Sequence, residues 1–308
     1  MSDIEYWEAS GAFDTVEADG STDLQIPSNV RIYEFSSTQH GGFAPVAPLP
    51  TPASLAANYA CEQLPNTNSY TYNIRALLVA LQQWVASGKT PPPSQYSSLG
   101  NRSLVSPAAV AFPTIPCLQG FIICGGPSGA GPNVTGPNTQ GGVWNTRTVW
   151  NRGSQYNATD VSGVISIEPP NPVAQYPTLL PQVDADGNDI DGLRSVTLRA
   201  PLGTYTGWNV RKTGFSQGDS CDLTGQWIPF AGTKSQRSMT GDSRLSLQER
   251  YGTLAGYQQA ATAAAAKLVQ GGYLLQSDQA AAINCAVSQA RRPQPQPIRP
   301  RRPPAYRC

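Results

Sequence analysis

The stretch NVRIYEFSSTQHGG, residues 29–42, joins an extended apolar run to small polar residues and contains His40, the one histidine of the 308-residue chain. Residues 30–35 alternate in polarity and are rich in β-forming side chains, which predicts a β-strand. His40 lies five residues after Phe35, in a loop that ends in two glycines. A loop next to regular elements is a common place for a catalytic side chain. The pattern makes His40 a candidate proton carrier, and the alternative is an ordinary structural or surface histidine.

An amphipathic helix is predicted after this loop. In NIRALLVALQQWVASGK, residues 73–89, apolar side chains recur at three- and four-residue steps, as one face of a helix requires. Gly88 follows the last apolar residue and is a typical helix stop. The predicted order is therefore strand, histidine loop, helix.

The middle of the chain, residues 91–235, is rich in Gly, Pro, Asn and Thr and is predicted to form loops and short strands. A helical block follows it. Ser246 and Glu249 have the Ser-x-x-Glu spacing of a reciprocal capping box, and one continuous apolar stripe extends from there to a Gly-Gly stop. A last helix is expected from Ser277, as its cap, to about Ala290.

Composition limits the functions that this chain can have. With 39% hydrophobic residues and no run near the ~20 apolar residues of a membrane helix, no membrane span is predicted. Charge is almost balanced, at 21 Lys and Arg against 20 Asp and Glu, yet residues 291–308 hold six arginines, six prolines and no acid. This tail is predicted to be disordered. A nucleic-acid-binding arm is the alternative, but no known binding module accompanies it, so no nucleic-acid partner is expected.

The six cysteines bear on metals and on the redox compartment. They are too few for a disulfide scaffold and have no C-x-x-C spacing, so no zinc site is expected. Cys117 and Cys124 can close a short loop in an oxidising compartment, or be buried thiols. The first residues, MSDIEYWEAS, do not form a secretory signal, so we expect that the chain is not exported or that its true beginning lies upstream. Compartment and oligomeric state stay open.

The segment DADGNDIDG, residues 184–192, has acidic spacing like that of a calcium loop. Asp189 stands where an EF-hand has its glycine, and Ser195 stands where it has its closing glutamate. A solvated Asp-Gly turn between two strands is therefore the preferred interpretation. No metal and no other cofactor is predicted.

Two aromatic or cysteine-bearing segments offer further candidates. In GTYTGWN, residues 203–209, Tyr205 and Trp208 are predicted to line a substrate pocket, and local packing is the alternative. Cys221 in CDLTGQWIPF is predicted to lie in a packed turn. Its pairing with His40 as a catalytic nucleophile is a second, less favoured interpretation.

Seven segments together resemble a bacterial family described as alpha/beta hydrolase domain-containing proteins. They are EYW (5–7), DGSTDLQIPSNVRIYEFSSTQHG (19–41), RALLVALQQWV (75–85), YPTLLPQVDADGN (176–188), PLGTYTGWN (201–209), CDLTGQWIPFA (221–231) and GDSRLSLQERYG (241–252). The resemblance implies an α/β fold class, specifically the C-terminal portion of an α/β-hydrolase fold. It also implies hydrolysis of a small-molecule ester by a nucleophile, a histidine base and an orienting carboxylate.

His40 matches the histidine position of that family, and Glu5 is the preferred acid because EYW resembles the segment after the acid-bearing strand. The other upstream carboxylates, Asp3, Asp14, Asp19 and Asp23, remain alternatives for this role. The nucleophile is expected to precede the acid on a G-x-S-x-G elbow, and only four residues precede Glu5. GPSGAG, around Ser128, follows the histidine and is interpreted as a loop.

The sequence therefore predicts a hydrolase whose nucleophile-bearing front is absent from this chain. Residues 1–90 are assigned to the hydrolase core with the last strand, histidine loop and closing helix. Residues 91–235 form a β- and loop-rich insertion, residues 236–290 form a helical block, and residues 291–308 form the tail. The alternative function is a non-catalytic module that binds a polymer such as a carbohydrate.

Overall fold

The structure is a computed structural model. It describes residues 15–17, 20–40, 60–116, 148–157, 163–212, 214–217, 219–221 and 223–291. The helices are α1 (Thr71–Ser87), α2 (Val196–Arg199), α3 (Lys234–Thr240), α4 (Leu247–Tyr251), α5 (Leu254–Gln270) and α6 (Gln279–Ala290), with 3₁₀ turns at Pro107–Ala109 and Gln276–Asp278. The strands are β1 (Leu64–Pro65), β2 (Leu104–Val105), β3 (Thr148–Asn151), β4 (Asn171–Gln175), β5 (Leu180–Pro181), β6 (Gly203–Thr206) and β7 (Gln226–Pro229). Within these residues, no helix has the length and apolar character that a bilayer crossing needs.

The sheets of the described residues are small and antiparallel. The largest has the order β1-β7-β6, and β2 pairs with β5 while β3 pairs with β4. Trp227 of the central strand β7 lies opposite Leu64 of β1 on one side and opposite Tyr205 of β6 on the other. These short strands and the helices between them make a mixed α/β structure. Assignment of the chain to the C-terminal portion of a hydrolase fold remains an expectation.

The segment predicted as a strand, residues 30–35, pairs with other segments at only two isolated positions. Tyr33 forms a parallel bridge with Gln95, and Phe35 forms one with Leu193. Backbone hydrogen bonds from Glu34 N to Gln95 O (2.9 Å) and from Leu193 N to Glu34 O (2.7 Å) hold the segment between two distant parts of the chain. The predicted strand is therefore not formed as a regular element, and two isolated bridges take its place.

The helix predicted after the histidine loop is confirmed as α1. Gly88 ends it in the left-handed conformation, with φ 70° and a hydrogen bond from its N–H to Trp84 O. The apolar face of α1 is only partly buried. Leu77 is 8% exposed, whereas Leu78 is 48% and Val85 is 82% exposed.

The predicted capping box is also confirmed, since Ser246 and Glu249 each accept a hydrogen bond from the other's backbone N–H. The continuous helix expected from there was wrong. Gly252, with φ 67°, separates α4 from α5, and Thr253 caps the second helix. Ser277 is not a cap either, because it lies in the 3₁₀ turn before α6.

The main core lies between α5, α6 and the β1-β7-β6 sheet. Small side chains such as Ala261, Ala265 and Ala286 are fully buried, so the two helices can approach closely. Tyr205 and Trp227 stack across the sheet with ring centroids 6.4 Å apart. Phe35, which directly precedes the turn that carries His40, packs against this core.

Candidate active site

His40 lies at the exposed end of a tight turn. We call residues 36–40 the histidine turn, which follows Phe35 directly. His40 is an exposed residue. Its backbone oxygen accepts a hydrogen bond of 3.0 Å from the Tyr70 hydroxyl. A histidine in such a position is reachable by a substrate, as a proton carrier must be.

The base of the histidine turn is buried and is held by side chains more than 150 residues away. Ser37 N donates to Asp189 Oδ2 at 2.5 Å, and Asp189 N donates to Ser37 Oγ at 2.9 Å. Ser36 Oγ donates to the backbone oxygen of Asp191 at 2.5 Å. Ser37 has φ 50°, a left-handed conformation that L-residues other than Asn and Asp rarely adopt. The reciprocal pair with Asp189 helps to maintain this conformation.

A second group of side chains clamps the turn from the other side. We call residues 66–70, NTNSY, the asparagine bracket. Asn66 Nδ2 donates to Ser37 O at 2.9 Å, and Asn68 Nδ2 donates to the backbone oxygens of Ser36 and Ser37, both at 3.0 Å. The Tyr70 ring stacks on Phe35 with centroids 4.7 Å apart. The bracket immediately precedes α1, so the helix and the turn are positioned together.

Sequence reasoning missed the bracket and Asp189. Small polar residues directly before a strongly amphipathic helix are a weak signal, because such residues are also common in exposed turns. Nothing local indicates that Asn66 and Asn68 are completely buried. Their role depends on contacts that only the folded chain creates.

Two carboxyl groups lie beneath the histidine turn, that of the half-buried residue Glu34 and that of Asp189, which is 7% exposed. Burial, with the nearby charge of Asp189, raises the pKa of Glu34 to about 8, although Ser97 donates to it through its N–H (2.7 Å) and its hydroxyl (3.2 Å). Burial raises the pKa of Asp189 to about 6, against the hydrogen bonds from Ser37. Asp191 adds a smaller upward contribution to the pKa of Glu34. Burial and the charge of Asp189 therefore favour the neutral form of the Glu34 carboxyl group in the folded chain.

The raised pKa of Glu34 predicts a pH-dependent stability. Between the unfolded value of 4.5 and about 8, the unfolded chain releases this proton while the folded chain keeps it, so the free energy of unfolding falls as pH rises. Glu34→Gln mimics the neutral acid. We expect the variant to be more stable than the wild type at pH 8 and to show a flatter dependence across this window, measured by urea unfolding. Glu17→Gln, at an exposed position, is the control, and equal slopes for Glu34→Gln and wild type would contradict the prediction.

The segment before β7 touches the turn from a third direction. Gly225 N donates to Gln39 Oε1 at 3.2 Å. A Cβ atom at Gly225 would lie 2.3 Å from Thr206 O and 2.9 Å from Gln39 Cβ, so no other residue fits there without displacing the backbone of β6 or the histidine turn. Nearby, Cys221 forms a disulfide with Cys61. Pairing of Cys221 with His40 as a nucleophile is therefore wrong, because a disulfide sulfur is not a free thiolate.

Tyr205 and Trp208 lie inside the protein. Tyr205 is 0% exposed and stacks on Trp227, while Trp208 is 3% exposed and packs with Ile115, Val210 and Ile228. This burial corrects the expectation that they line a substrate pocket and favours the packing alternative. In a sequence, aromatic side chains next to glycines suggest a binding pocket. Whether such a side chain is exposed or buried depends on how its strand packs in the folded chain.

The calcium-like segment is a closed turn. Asp184 Oδ1 accepts hydrogen bonds from Asp186 N (2.9 Å) and Asn188 N (3.0 Å), and Asp186 pairs with Arg250. The expected turn is confirmed, but it is only partly solvated, since Ala185 is exposed whereas Asn188 is completely buried and donates to Gly203 O. In the part of the chain that the structure describes, no three His, Cys, Asp or Glu side chains are grouped to share a metal ion.

Glu5, the expected acid, and Ser128 lie outside the described residues, as do Cys117 and Cys124.

A complete G-x-S-x-G spacing, which sequence reasoning also missed, occurs at GFSQG, residues 214–218. Ser216 is exposed, with φ 59°. It lies at the tip of a hairpin in which Val210 bridges Ser220 and Arg211 N donates to Asp219 O. The next regular element of the described residues is strand β7, whereas a nucleophile elbow leads into a helix.

A family model described as alpha/beta hydrolase domain matches residues 2–284 of this chain. Searches of curated proteins and of solved structures found no match. The matched span includes the histidine turn, the asparagine bracket and the helical core, so the resemblance inferred from the sequence segments is confirmed. The chain belongs to the alpha/beta hydrolase domain family.

Proposed function

We propose that this hydrolase cleaves carboxylic esters by a Ser-His-acid mechanism in which His40 is the general base. The observation that carries the proposal is the position of the only imidazole, exposed at the end of a turn whose base is rigidly held. A scaffold of this kind can orient a proton carrier without burying it. Family membership supports hydrolysis in general, and the ester bond and the individual roles are our proposal.

In the proposed mechanism, the imidazole of His40 accepts the proton of a serine hydroxyl as that oxygen attacks the ester carbonyl. The same nitrogen then donates the proton to the departing alcohol, and a second cycle with water releases the acid. Glu5 is the proposed carboxylate, whose task is to accept the other imidazole N–H and favour the charged form of the ring.

We propose that Ser216 is not the nucleophile. Stabilisation of the tetrahedral oxyanion requires preorganised N–H donors, which an elbow obtains partly from the start of the helix that follows it. Ser216 instead lies between two antiparallel hairpin arms. The serine that attacks the ester is left unassigned.

Hydrolysis of p-nitrophenyl esters by the natural full-length protein tests this proposal. We expect His40→Ala to reduce kcat/KM by at least about a hundredfold, because a positioned base contributes this much or more. Ser216→Ala is the control and should keep wild-type activity. Retained activity in His40→Ala would contradict the role of His40, and loss of activity with Ser216→Ala would identify Ser216 as the nucleophile.

A further inference from the structure

The side chain of Asn68 is completely buried, and the structure shows partners for both of its side-chain heteroatoms. Its Nδ2 donates to the backbone oxygens of Ser36 and Ser37, each at 3.0 Å, and its Oδ1 accepts from Ser195 Oγ at 2.5 Å. Its backbone N–H donates to Asn66 Oδ1 at 2.8 Å. A buried amide with both ends bonded is fixed in one orientation.

Ser195 connects this asparagine to the rigid core. Its hydroxyl oxygen accepts from Leu198 N at 3.2 Å and thereby caps α2. Leu198 is completely buried in the main core. Asn68 therefore links a core helix on one side to two successive carbonyl groups of the histidine turn on the other.

Those two carbonyl groups depend on such donors. Ser36 is 1% and Ser37 is 3% exposed, so water does not readily replace a lost hydrogen bond at this place. The left-handed conformation of Ser37 adds local strain that the surrounding bonds must offset. His40 follows only three residues after Ser37, and its own oxygen is held by Tyr70 of the same bracket.

We infer that Asn68 is a positioning residue for His40: its amide fixes the histidine turn and so sets where the imidazole stands. This inference rests on the proposed function for its catalytic meaning. The positioning itself is a property of the free protein and is measurable without any substrate.

The single histidine makes the test direct, because ¹⁵N-histidine labelling of the untagged chain gives one backbone amide signal. In the wild type, we expect an NMR order parameter near ~0.85, typical of rigid backbone. In Asn68→Asp, which keeps the side-chain shape but replaces the donor by an acceptor, we expect the value to fall below about 0.6.

Asn209→Asp is the matched control. Asn209 is also buried, at 1% exposure, and its amide bonds Gln63 and Val210 instead of the histidine turn. The Asn209→Asp variant should be destabilised to the same extent as Asn68→Asp. Its His40 order parameter should equal that of the wild type. An unchanged order parameter in folded Asn68→Asp, or an equal loss in Asn209→Asp, would overturn the inference.

A milder variant covers the case in which Asn68→Asp does not fold. Asn68→Ser keeps one hydroxyl donor in place of two N–H donors, so an intermediate order parameter is expected, and a wild-type value would contradict the inference. In the full-length enzyme, Asn68→Ser should lower kcat by about tenfold to a hundredfold with little change in KM, because misplacement of a catalytic group affects the reacting geometry. If His40→Ala is fully active while the order parameter still falls, the proposed function fails and the positioning role stands.

Discussion

Arg244→Ala is expected to lower the free energy of unfolding by about 3–5 kcal/mol, because it leaves Asp242 as a buried charge without its partner. Arg244 is completely buried, and its guanidinium pairs with Asp242 at 2.7 Å. It also donates to Thr204 Oγ1 (2.9 Å) and to the backbone oxygens of Ile228 (3.0 Å) and Pro229 (3.3 Å). The Arg244 side chain thus connects the paired strands β6 and β7 to the segment that leads into α4.

Urea or guanidinium unfolding of the variant measures this loss, and the chain offers a closely matched control. Arg75 pairs with Asp278 at the same distance, 2.7 Å, but the Arg75 side chain is 56% exposed. Arg75→Ala should cost less than Arg244→Ala, since water reaches the Arg75 guanidinium, although the Asp278 side chain is only 11% exposed. Similar losses for Arg75→Ala and Arg244→Ala would show that burial does not govern the strength of these pairs.

A double variant separates the ion pair from the other contacts of Arg244. Asp242→Asn together with Arg244→Met removes both charges while the methionine keeps part of the packing against Phe230, over whose ring Arg244 lies at 5.2 Å. We expect it to be more stable than Arg244→Ala, because no unpaired buried charge remains. A double variant that is less stable than Arg244→Ala would mean that the hydrogen bonds to the hairpin dominate.

Removal of the disulfide between Cys61 and Cys221 is the second change with a large expected effect. The bond closes a loop with a sequence separation of 160 residues, for which the chain-entropy argument gives about 5 kcal/mol, the upper end of the usual range. Cys61→Ser with Cys221→Ser should therefore lower the free energy of unfolding strongly. A bond of this importance also suits folding in an oxidising compartment.

Unfolding in denaturant, with and without a reducing agent, checks this expectation. Cys61 and Cys221 are 3% and 2% exposed, so a reducing agent should act mainly after unfolding. Cys285, which is not part of a disulfide, is the control position, and Cys285→Ser should change stability little. If the double serine variant unfolds at the wild-type denaturant concentration, the disulfide does not constrain the unfolded chain as proposed.

Several elements were predictable because their signals are local. The periodicity within residues 73–89 and the glycine at position 88 are sufficient for α1, and Ser246 with Glu249 is sufficient for the start of α4. The break at Gly252 was missed because an apolar stripe can continue across two helices that pack on the same core. The family was recognisable for a related reason, since its characteristic segments are contiguous in the sequence.

The sequence by itself thus determined α1, the start of α4, the family and the choice of His40 as the only available imidazole. Only the tertiary structure decided how that histidine is held, because Asn66, Asn68 and Asp189 contact residues of the turn that are 29 to 152 positions away along the chain. It also decided that Tyr205 and Trp208 are buried and that Ser216 lies on a hairpin. The physical reason is that periodicity and capping depend on neighbours within a few residues, whereas burial and long-range hydrogen bonds exist only after distant segments have packed.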